Sequence, residues 1–437
     1  MRRIRVLPAV LTLALLPTLT GVSPARAAVS FTKPKPLAPP STWNPGKALA
    51  ATTHRLLAAW ASDCPPPSGR CADDAGPYMG VFVQRAPAAD ATPAWSRPRR
   101  ASPSKVQAER PTLAADGNVA VVGWVTQTSY LHEKPTAPRR FQLRVSTDEG
   151  AHWRPVRTLS PPKGRVDYPR LAVGGGRIYA VWTDAGAGAI RLAISDDRGA
   201  TWAKRTIGTT TSRSTGYANG YAGLPDIAVS GNDLAVVWFS GPGGRQVALT
   251  SSTGGADLGP TSVPVALTPS SPNDGVRYPG AGGAVSAGDA RVALAYTTAD
   301  ALDLQVFDGA TLADPIAVAT WPVTVTGVVY AGGYGPAVLP APSGKILVAF
   351  AGCRRNAALA DPCDPLASGA RIDVLYAESS DGGATWSPLR ALTDASRAPY
   401  KVNDEPSLTW TKGIRRIAYD RYQPTFTDYR VWFRSAS

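Results

Sequence analysis

The chain has few histidines and little sign of helix, and both shortages limit what it can be. It holds three histidines among 437 residues: His54, His132 and His152. So few imidazoles argue against a histidine-built metal centre and against a Ser-His-Asp hydrolase. Apolar residues almost nowhere recur with the period of 3.6 residues that is typical of an amphipathic helix. We therefore expect an all-β chain that holds no metal and needs no cofactor.

Basic runs interleaved with aromatics are also missing, although the formal net charge is +14. Such runs are the usual footprint of a nucleic-acid-binding protein, so nucleic acid is not an expected partner. A positive net charge favours acidic partners such as anionic glycans. A basic, merely solvated surface explains the charge equally well.

The first 27 residues have the pattern of a secretory signal peptide. A basic segment, Met1–Arg5, precedes the apolar stretch Val6–Val22, and Ala25–Ala27 offers a small-x-small cleavage site. No stop-transfer pattern follows, so no membrane anchor is expected. Removal of the leader takes away four arginines and lowers the formal charge to +10. We expect a secreted, extracellular protein whose mature chain, residues 28–437, is a single domain.

The four cysteines form two close pairs, Cys64 with Cys71 and Cys353 with Cys363. In an exported chain such pairs predict two local disulfides. A zinc site is the alternative, and the spacings fit no zinc-finger pattern.

One short pattern recurs seven times: a proline beside an apolar run, then an aromatic residue that closes a second apolar run 13 to 17 residues later. The prolines are Pro45, Pro111, Pro169, Pro225, Pro279, Pro336 and Pro406, and the aromatics are Trp60, Trp124, Trp182, Trp238, Tyr296, Phe350 and Tyr419. Such a period with variable insertions is typical of a repeat architecture whose units cannot bury their cores alone.

Each unit has the pattern of four short strands joined by tight turns. In the third unit the strands are Pro169–Val173, Ile178–Trp182, Ile190–Ile194 and Lys204–Ile207. This pattern predicts a propeller blade, and the whole sequence predicts a seven-bladed β-propeller, with six blades as the alternative. The seventh unit lacks a fourth strand. We expect Ala28–Leu37, at the mature N-terminus, to supply that strand and close the ring, since closure removes open sheet edges.

Three units carry a sharper motif, Ser-x-Asp-x-Gly-x-(Thr)-Trp, between the third and fourth strands. The copies are Ser146–Trp153, Ser195–Trp202 and Ser379–Trp386. The aspartate can accept hydrogen bonds from nearby backbone N–H groups, and the glycine permits a positive φ. A structural role is therefore favoured over a catalytic one for Asp148, Trp153, Asp197, Trp202, Asp381 and Trp386.

These motifs resemble Asp-boxes, also called BNR repeats, and the chain resembles the sialidase superfamily and its Asp-box propeller relatives. In that family the boxes lie on the propeller face away from the active site. The resemblance implies that chemistry belongs on the other face, where the first strands begin. It also implies an arginine cluster for a substrate carboxylate, a tyrosine nucleophile assisted by glutamate, and an aspartate acid/base.

The residues just before the repeat prolines are expected to ring the mouth of the funnel on that face, and long loops open beside them. The candidate catalytic residues are Glu405, Asp404, Tyr278, Tyr334, Asp73 and Asp74. The candidate substrate-binding residues are Arg110, Glu109, Arg277, Tyr168, Asp167, Arg354 and Arg355. Convergence of their arginines on a Tyr–Glu pair would favour an enzyme.

The leading interpretation is a secreted, monomeric, sialidase-like exo-glycosidase that acts on acidic glycans through this Arg/Tyr/carboxylate pocket. A lyase of uronate polysaccharides, with tyrosine or histidine as the base, is a variant. The alternative is a non-catalytic secreted propeller that binds glycan or protein. It is favoured by the presence of only five glutamates and by Trp43–Pro45, which lacks the arginine of the family's Phe/Tyr-Arg-Ile-Pro segment.

Overall fold

The computed structural model describes seventeen stretches of the chain, and β-strand is the only regular structure in them. They are residues 31–37, 46–63, 79–127, 138–209, 223–230, 233–240, 246–252, 262–266, 284–285, 292–297, 300–307, 313–341, 344–359, 362–363, 368–396, 401–422 and 430–436. None of these stretches forms a helix that could cross a membrane. The prediction of an all-β chain is confirmed.

The first strand, β1, is Lys35–Pro36, and five sheets of four antiparallel strands follow it. The first two sheets comprise β2 (Lys47–Ala51), β3 (Arg55–Ser62), β4 (Gly80–Pro87) and β5 (Arg99–Arg100), then β6 (Gln107–Asp116), β7 (Val119–Gln127), β8 (Arg139–Ser146) and β9 (Arg157–Thr158). The third and fourth comprise β10 (Val166–Gly174), β11 (Arg177–Asp184), β12 (Ala189–Ser195) and β13 (Ala203–Thr209), then β14 (Gly223–Ser230), β15 (Asp233–Ser240), β16 (Gln246–Ser252) and β17 (Ser262–Ala266). The fifth comprises β18 (Ala284–Val285), β19 (Val292–Thr297), β20 (Ala301–Phe307) and β21 (Ile316–Thr320).

The remaining strands join β1 in one nine-stranded sheet. They are β22 (Val323–Val325), β23 (Val328–Ala341), β24 (Lys345–Arg354), β25 (Ile372–Ser379), β26 (Arg390–Ala391), β27 (Val402–Thr411), β28 (Ile414–Tyr422) and β29 (Arg430–Ala436). Two antiparallel groups meet in this sheet where β25 and β27 run parallel, through the single pair Ile372 and Val402. The first group is β22–β26, and the second is β27–β29 with β1.

The N-terminal segment supplies the outer strand of the last group. In the antiparallel pair of β1 and β29, Lys35 lies opposite Phe433 and Pro36 opposite Trp432. The backbone N–H of Leu37 donates to the carbonyl of Val431 at 2.7 Å. The predicted pairing of the N-terminus with the last unit is therefore confirmed for residues 31–37.

The first strands of successive groups contact one another in cyclic order: β2, β6, β10, β14, β18, β23, β27 and again β2. Where the order closes, Lys47 Nζ donates to Asp420 Oδ2 at 2.6 Å and the Leu49 N–H donates to Ser407 Oγ at 3.1 Å. Sheets that follow one another around an axis in this way are blades of a propeller. The number of blades stays a prediction, because residues 267–283 and other stretches lie outside the described part.

The aromatic residues that close the second strands pack between neighbouring sheets. Trp124 is fully buried in a cluster with Leu57 and Val83 of the preceding sheet. Trp182 packs in the next cluster with Phe141, at 5.7 Å between ring centroids. Burial of one such side chain stabilises the fold by about 1.5–3 kcal/mol. The hydrophobic core is thus divided among the interfaces between sheets.

Strand direction separates two ends of every sheet. Because the strands alternate in direction, the turn from third to fourth strand lies opposite the start of the first strand. The Asp-box turns follow β8, β12 and β25, and therefore lie at the end opposite Pro111, Pro169 and Pro336. We call these the Asp-box end and the proline end.

Each Asp-box turn is held by its serine, its aspartate and the residue before the tryptophan, which is a threonine in two copies and His152 in the first. In the second copy, Ser195 Oγ donates to Asp197 Oδ1 at 2.8 Å and accepts from the Gly199 N–H at 2.7 Å. Thr201 donates to Asp197 twice, from its hydroxyl at 2.6 Å and from its backbone N–H at 2.9 Å. The copy at Asp381 repeats this network. All of these bonds lie within the turn, which is what a structural role of the aspartate requires.

The glycine of each Asp-box docks the turn against the preceding sheet. Gly199 has φ +86°, and a Cβ there would lie 2.6 Å from Val145 Cγ2 in the sheet before it. Gly150 and Gly383 approach Leu57 and Leu304 in the same way, at 2.7 Å and 2.9 Å. The motif therefore joins two blades as well as two strands.

The close approach of Gly199 predicts a large cost for Gly199→Ala. Left-handed φ costs an L-residue about 1–2 kcal/mol, and the clash with Val145 adds about 1–3 kcal/mol of overpacking. Gly176→Ala is the matched control, because Gly176 also has a left-handed backbone, with φ +78°, and a Cβ added there would lie in open space. Urea unfolding should give a clearly larger loss of unfolding free energy for Gly199→Ala. Equal losses would contradict the docking.

The Asp-box carboxylates also predict an acid-sensitive part of stability. Hydrogen bonds from the threonine hydroxyl, the threonine N–H and the serine lower the pKa of Asp197 and Asp381 from 3.8 to about 2. Because the folded-state pKa is depressed, this stabilisation is present above pH 3.8 and is lost as the pH falls towards 2. The melting temperature of the wild type should therefore fall more steeply between pH 4 and pH 2 than that of Asp197→Asn/Asp381→Asn. Parallel curves would refute this.

Candidate functional site

Each repeat proline that the structure describes sits in a β-bulge of a first strand. The pairing of β6 with β7 shifts between Glu109 and Thr112, so Arg110 and Pro111 together lie opposite Trp124. The equivalent pairs are Tyr168-Pro169 opposite Trp182, Leu224-Pro225 opposite Trp238, Gly335-Pro336 opposite Phe350, and Glu405-Pro406 opposite Tyr419. A proline cannot donate a hydrogen bond to the ladder, and a bulge removes that requirement. The nearly constant spacing between proline and aromatic in the sequence thus arises because the bulge that contains the proline lies opposite the aromatic residue.

Two of the residues before these prolines adopt a backbone that side chains rarely tolerate. Arg110 has φ +52° and Tyr168 has φ +45°. Such a conformation costs about 1–3 kcal/mol and is kept only where the surrounding structure holds it. Here the Arg110 guanidinium carbon lies 4.2 Å from the centre of the Tyr168 ring, a cation–π contact between neighbouring sheets.

Asp167 binds two arginines at the proline end. Arg110 Nη1 lies 2.5 Å from Asp167 Oδ1, and Arg139 Nη1 lies 3.1 Å from Oδ2. The side chains of Asp167 and Arg139 are 8% and 4% exposed, against 17% for Arg110. Arg110 is therefore the member of this trio that solvent, and a ligand, can reach most easily.

A third arginine adds to the positive charge around Asp167. Arg165 forms a backbone bridge with Arg139. Burial lowers the pKa of the Arg139 guanidinium, Asp167 opposes that effect, and the charges of Arg110 and Arg165 lower the pKa further. Two guanidinium groups thus share one carboxylate, and the charge of Arg165 acts on one of them, so a second anion would be attracted to this group.

Glu109 lies beside this group as a buried carboxyl. It is 3% exposed, and its Oε1 accepts from Gln107 Nε2 at 2.9 Å and from Gln127 Nε2 at 2.6 Å. Gln107 is oriented by the Met79 N–H, which donates to its Oε1 at 2.9 Å. Burial raises the pKa of Glu109, against the lowering effects of Gln107, Arg110, Gln127 and Arg139. A carboxyl of raised pKa can keep its proton and donate it, as a general acid must.

We define the polar cluster as Glu109, Arg110, Arg139, Arg165, Asp167 and Tyr168. Four of these residues stand just before a repeat proline and were predicted for the funnel mouth. Arg139, Arg165, Gln107 and Gln127 were not predicted. Gln127 ends β7 and Arg139 begins β8, so antiparallel alternation places both at the proline end. That alternation was the available signal.

Arg354 belongs to a different set of contacts. It ends β24, and its Nε lies 2.7 Å from Asp373 Oδ2 while its Nη2 lies 2.8 Å from Asp394 Oδ1. Tyr330 also donates to Asp373, which is fully buried. Arg354 is thus engaged within its own strand group, and these contacts do not bring it to Arg110. The next residue, Arg355, donates its backbone N–H to the Val329 carbonyl at 2.8 Å.

The second cysteine pair forms a disulfide beside Arg354. The Cα atoms of Cys353 and Cys363 are 5.1 Å apart, within the usual range. This predicted disulfide is confirmed. The first pair, Cys64 and Cys71, lies outside the described residues.

Tyr334 lies in the core between the last two strand groups. It is 3% exposed and belongs to an apolar cluster with Ile372, Val402 and Tyr422. Its assignment as a nucleophile stays a prediction, and this position does not present the ring to a ligand at the funnel mouth.

For two of the remaining candidates the structure describes the backbone alone, and the other four lie outside the described residues. Glu405 occupies the bulge position of Arg110 and Tyr168, and Asp404, with its Cα opposite Asp420, occupies that of Glu109 and Asp167. Their catalytic roles stay predictions. Asp73, Asp74, Arg277 and Tyr278 lie outside the described residues. Across the part of the chain that is described, no three His, Cys, Asp or Glu side chains are grouped to hold a metal ion.

No protein-family model and no curated protein matches the chain. Among solved structures it is similar to a Trypanosoma rangeli sialidase in complex with sialic acid, at TM-score 0.46 and 10% identity over 90% of this chain and 54% of that one. It is also similar to a leech intramolecular trans-sialidase (TM-score 0.48, 10% identity, 91% and 68% covered) and to one from Ruminococcus gnavus (0.45, 11%, 90% and 94%). The chain spans about half the length of the trypanosomal enzymes. These are sialidases and trans-sialidases, the group that the Asp-box motifs resemble.

The shared use of Asp167 predicts unequal costs for removing its partners. Asp167→Asn leaves Arg110 and the buried Arg139 without their carboxylate, which should cost about 3–5 kcal/mol of unfolding free energy. Arg110→Gln leaves Asp167 paired with Arg139, so about 1 kcal/mol is expected. Denaturant unfolding of both variants measures the two values. A cost of Arg110→Gln that equals or exceeds that of Asp167→Asn would contradict this arrangement.

Proposed function

We propose that this protein is an exported, sialidase-like glycoside hydrolase that acts on acidic glycans, with the polar cluster as part of its substrate-binding wall. One observation carries the proposal: two arginines, Arg110 and Arg139, share Asp167 beside the buried carboxyl of Glu109, whose pKa is raised, at the end of the sheets away from the Asp-boxes. Arginine is suited to bind a sugar carboxylate because its planar fork can donate two parallel hydrogen bonds.

In the proposed reaction Arg110 binds the substrate carboxylate, because it is the most exposed arginine in contact with Asp167. Arg139 and Arg165 keep the potential of the site positive behind it. Tyr278, assisted by Glu405, attacks the anomeric carbon, and Asp73 or Asp74 protonates the leaving oxygen. Hydrolysis of the glycosyl–tyrosine intermediate completes the cycle. Asp404 is the alternative candidate for the acid/base.

A second function, glycan binding without turnover, is favoured by the internal bonding of the two carboxyls in the polar cluster. Glu109 is 3% exposed and accepts from Gln107 and Gln127, while Asp167 binds Arg110 and Arg139. Groups fixed in this way form a preorganised surface, which lowers the entropic cost of binding. They are also held away from direct contact with a glycosidic oxygen.

A panel of fluorogenic sialosides and uronides tests the proposal. The wild type should release the fluorophore from at least one acidic glycoside. Arg110→Ala should lower kcat/KM by about a hundredfold, as expected for the loss of a charge-assisted contact of roughly 3 kcal/mol. Glu405→Gln should abolish turnover. The matched control is Arg154→Ala, because Arg154 is exposed and follows the Asp-box Trp153; it should behave as the wild type.

Calorimetric binding of the same acidic sugars separates the two functions. Binding that Arg110→Ala weakens, without turnover of any glycoside, would replace hydrolysis with glycan binding. If acidic sugars neither bind nor turn over, both functions are overturned.

A further inference from the structure

A second feature of the chain concerns the outer part of the interface between the first two sheets. In β8, Gln142 lies opposite Trp124 and Arg144 lies opposite Val122. Trp124 and Val122 belong to the apolar cluster shared with the preceding sheet. Since residues directly opposite each other share a face of the sheet, Arg140, Gln142 and Arg144 lie on the face turned towards the first sheet.

The first sheet places arginines on the facing side of the same interface. Val81 and Val83 of β4 belong to the shared apolar cluster, and Arg85 follows on the same face two residues later. Arg99 of β5 lies opposite Val83. Its Nη1 donates across the interface to the Ala151 carbonyl at 3.3 Å. We call the set Arg85, Arg99, Arg140 and Arg144 the arginine groove.

The four arginines of the groove lie outside the ion pairs of the described residues. Within the described stretches, none of its four arginines forms an ion pair with a carboxylate. Arg140 Nε donates to the carbonyl of Pro162 at 3.2 Å, and the buried Nε of Arg144 has no hydrogen-bond partner there. The Asp-box turn that Arg99 contacts carries two carboxylates, and each lies against a histidine: Asp148 lies 2.6 Å from His152, and Glu149 lies 3.1 Å from His54.

We propose that the arginine groove is a second binding site, for a linear anionic polysaccharide that carries carboxylate or sulfate groups. Arginine forks bind these planar or tetrahedral oxyanions through paired hydrogen bonds. Arg140 and Arg144 are four residues apart on one strand, about 13 Å at the usual rise. A polymer with repeated charges can match that length, which one small anion cannot span.

Polar side chains between the arginines fit a sugar better than a nucleic acid. Gln142 lies between Arg140 and Arg144, and its Nε2 donates to the hydroxyl of Thr158 at 3.2 Å. Amide and hydroxyl groups suit sugar hydroxyls, whereas single-stranded nucleic acid is usually bound on aromatic side chains, and Arg140, Gln142 and Arg144, the positions of β8 on this face, are not aromatic. The formal net charge, +14 for the whole chain and +10 without the four arginines of the leader, adds long-range attraction for a polyanion.

This site is independent of the proposed function, because it lies on the third and fourth strands at the outer edge. The polar cluster lies at the proline end, where first strands begin, and its one residue on a third strand, Arg139, occupies the opposite face of β8 from Arg140. We expect a polymer to be held at the arginine groove whether or not its ends are cleaved at the funnel mouth. Loss of activity in Arg110→Ala should therefore leave polymer binding unchanged.

Binding of the full-length protein to immobilised heparin, polygalacturonate and dextran tests the proposal. The wild type should bind one or both anionic polymers and not the neutral dextran; heparin distinguishes sulfate from the carboxylates of polygalacturonate. Arg99→Gln/Arg140→Gln should lower the affinity by about tenfold at roughly 0.1 M salt, where contacts between exposed charges are still felt. Arg85→Gln/Arg144→Gln should do the same, and melting temperatures confirm that both variants fold.

The matched control is Arg198→Gln/Lys412→Gln, which removes the same charge from exposed positions outside the arginine groove. It should lose less than about twofold in affinity, because only the long-range part of the attraction changes. Equal losses in groove and control variants would overturn the proposal, since net charge alone would then explain binding. If neither anionic polymer binds, the proposal is overturned too. The same holds if immobilised single-stranded DNA, tested beside them, binds more tightly than both heparin and polygalacturonate.

Discussion

The architecture depends on one constraint: a proline in an innermost strand has no backbone N–H to donate to the strand beside it. The chain meets this constraint with a bulge at each of the five repeats whose proline is described, and a buried aromatic residue of the second strand lies opposite the two bulged residues. The bulge also turns the residue before the proline away from the ladder. Arg110 and Tyr168 meet in this way across two sheets, at the cost of a left-handed backbone. The bulge therefore accommodates the proline in the blade and also sets the direction of the side chain before it.

The Asp-boxes act at the other end of the sheets. Their aspartates are satisfied by side chains and backbone of the same turn, from serine with threonine or, in the first copy, His152, and their glycines press against the preceding blade. These carboxylates are exposed, but their hydrogen bonds are all made within the turn that they stabilise. At the proline end, burial instead raises the pKa of Glu109. Asp167 beside it forms ion pairs with Arg110 and Arg139. The two ends of one scaffold therefore place the carboxyls of Asp197 and Glu109 in opposite electrostatic settings, with the pKa lowered at the Asp-box end and raised at the proline end.

Local patterns were sufficient to predict the strands, the Asp-box turns, the N-terminal strand and the disulfide of Cys353. Each of these rests on short-range chemistry: period-2 alternation, turn residues and the reach of a close cysteine pair. The polar cluster depends on the stacking of two sheets, because Arg110 and Asp167 are 57 residues apart. Glu109, Arg110, Asp167 and Tyr168 were found through their shared position before a proline. Arg139 was missed because it stands at the start of a third strand, and the partners of Arg354 depend on which face of its strand it occupies.

A crystal structure of the protein grown with an acidic monosaccharide, such as N-acetylneuraminic or galacturonic acid, tests the central claim most directly. The account predicts that the sugar carboxylate lies at the proline end, within hydrogen-bond distance of the Arg110 guanidinium and beside the Tyr168 ring. A carboxylate bound among the Asp-box turns, or an Arg110 that points into solvent while its backbone follows a regular ladder, would contradict it.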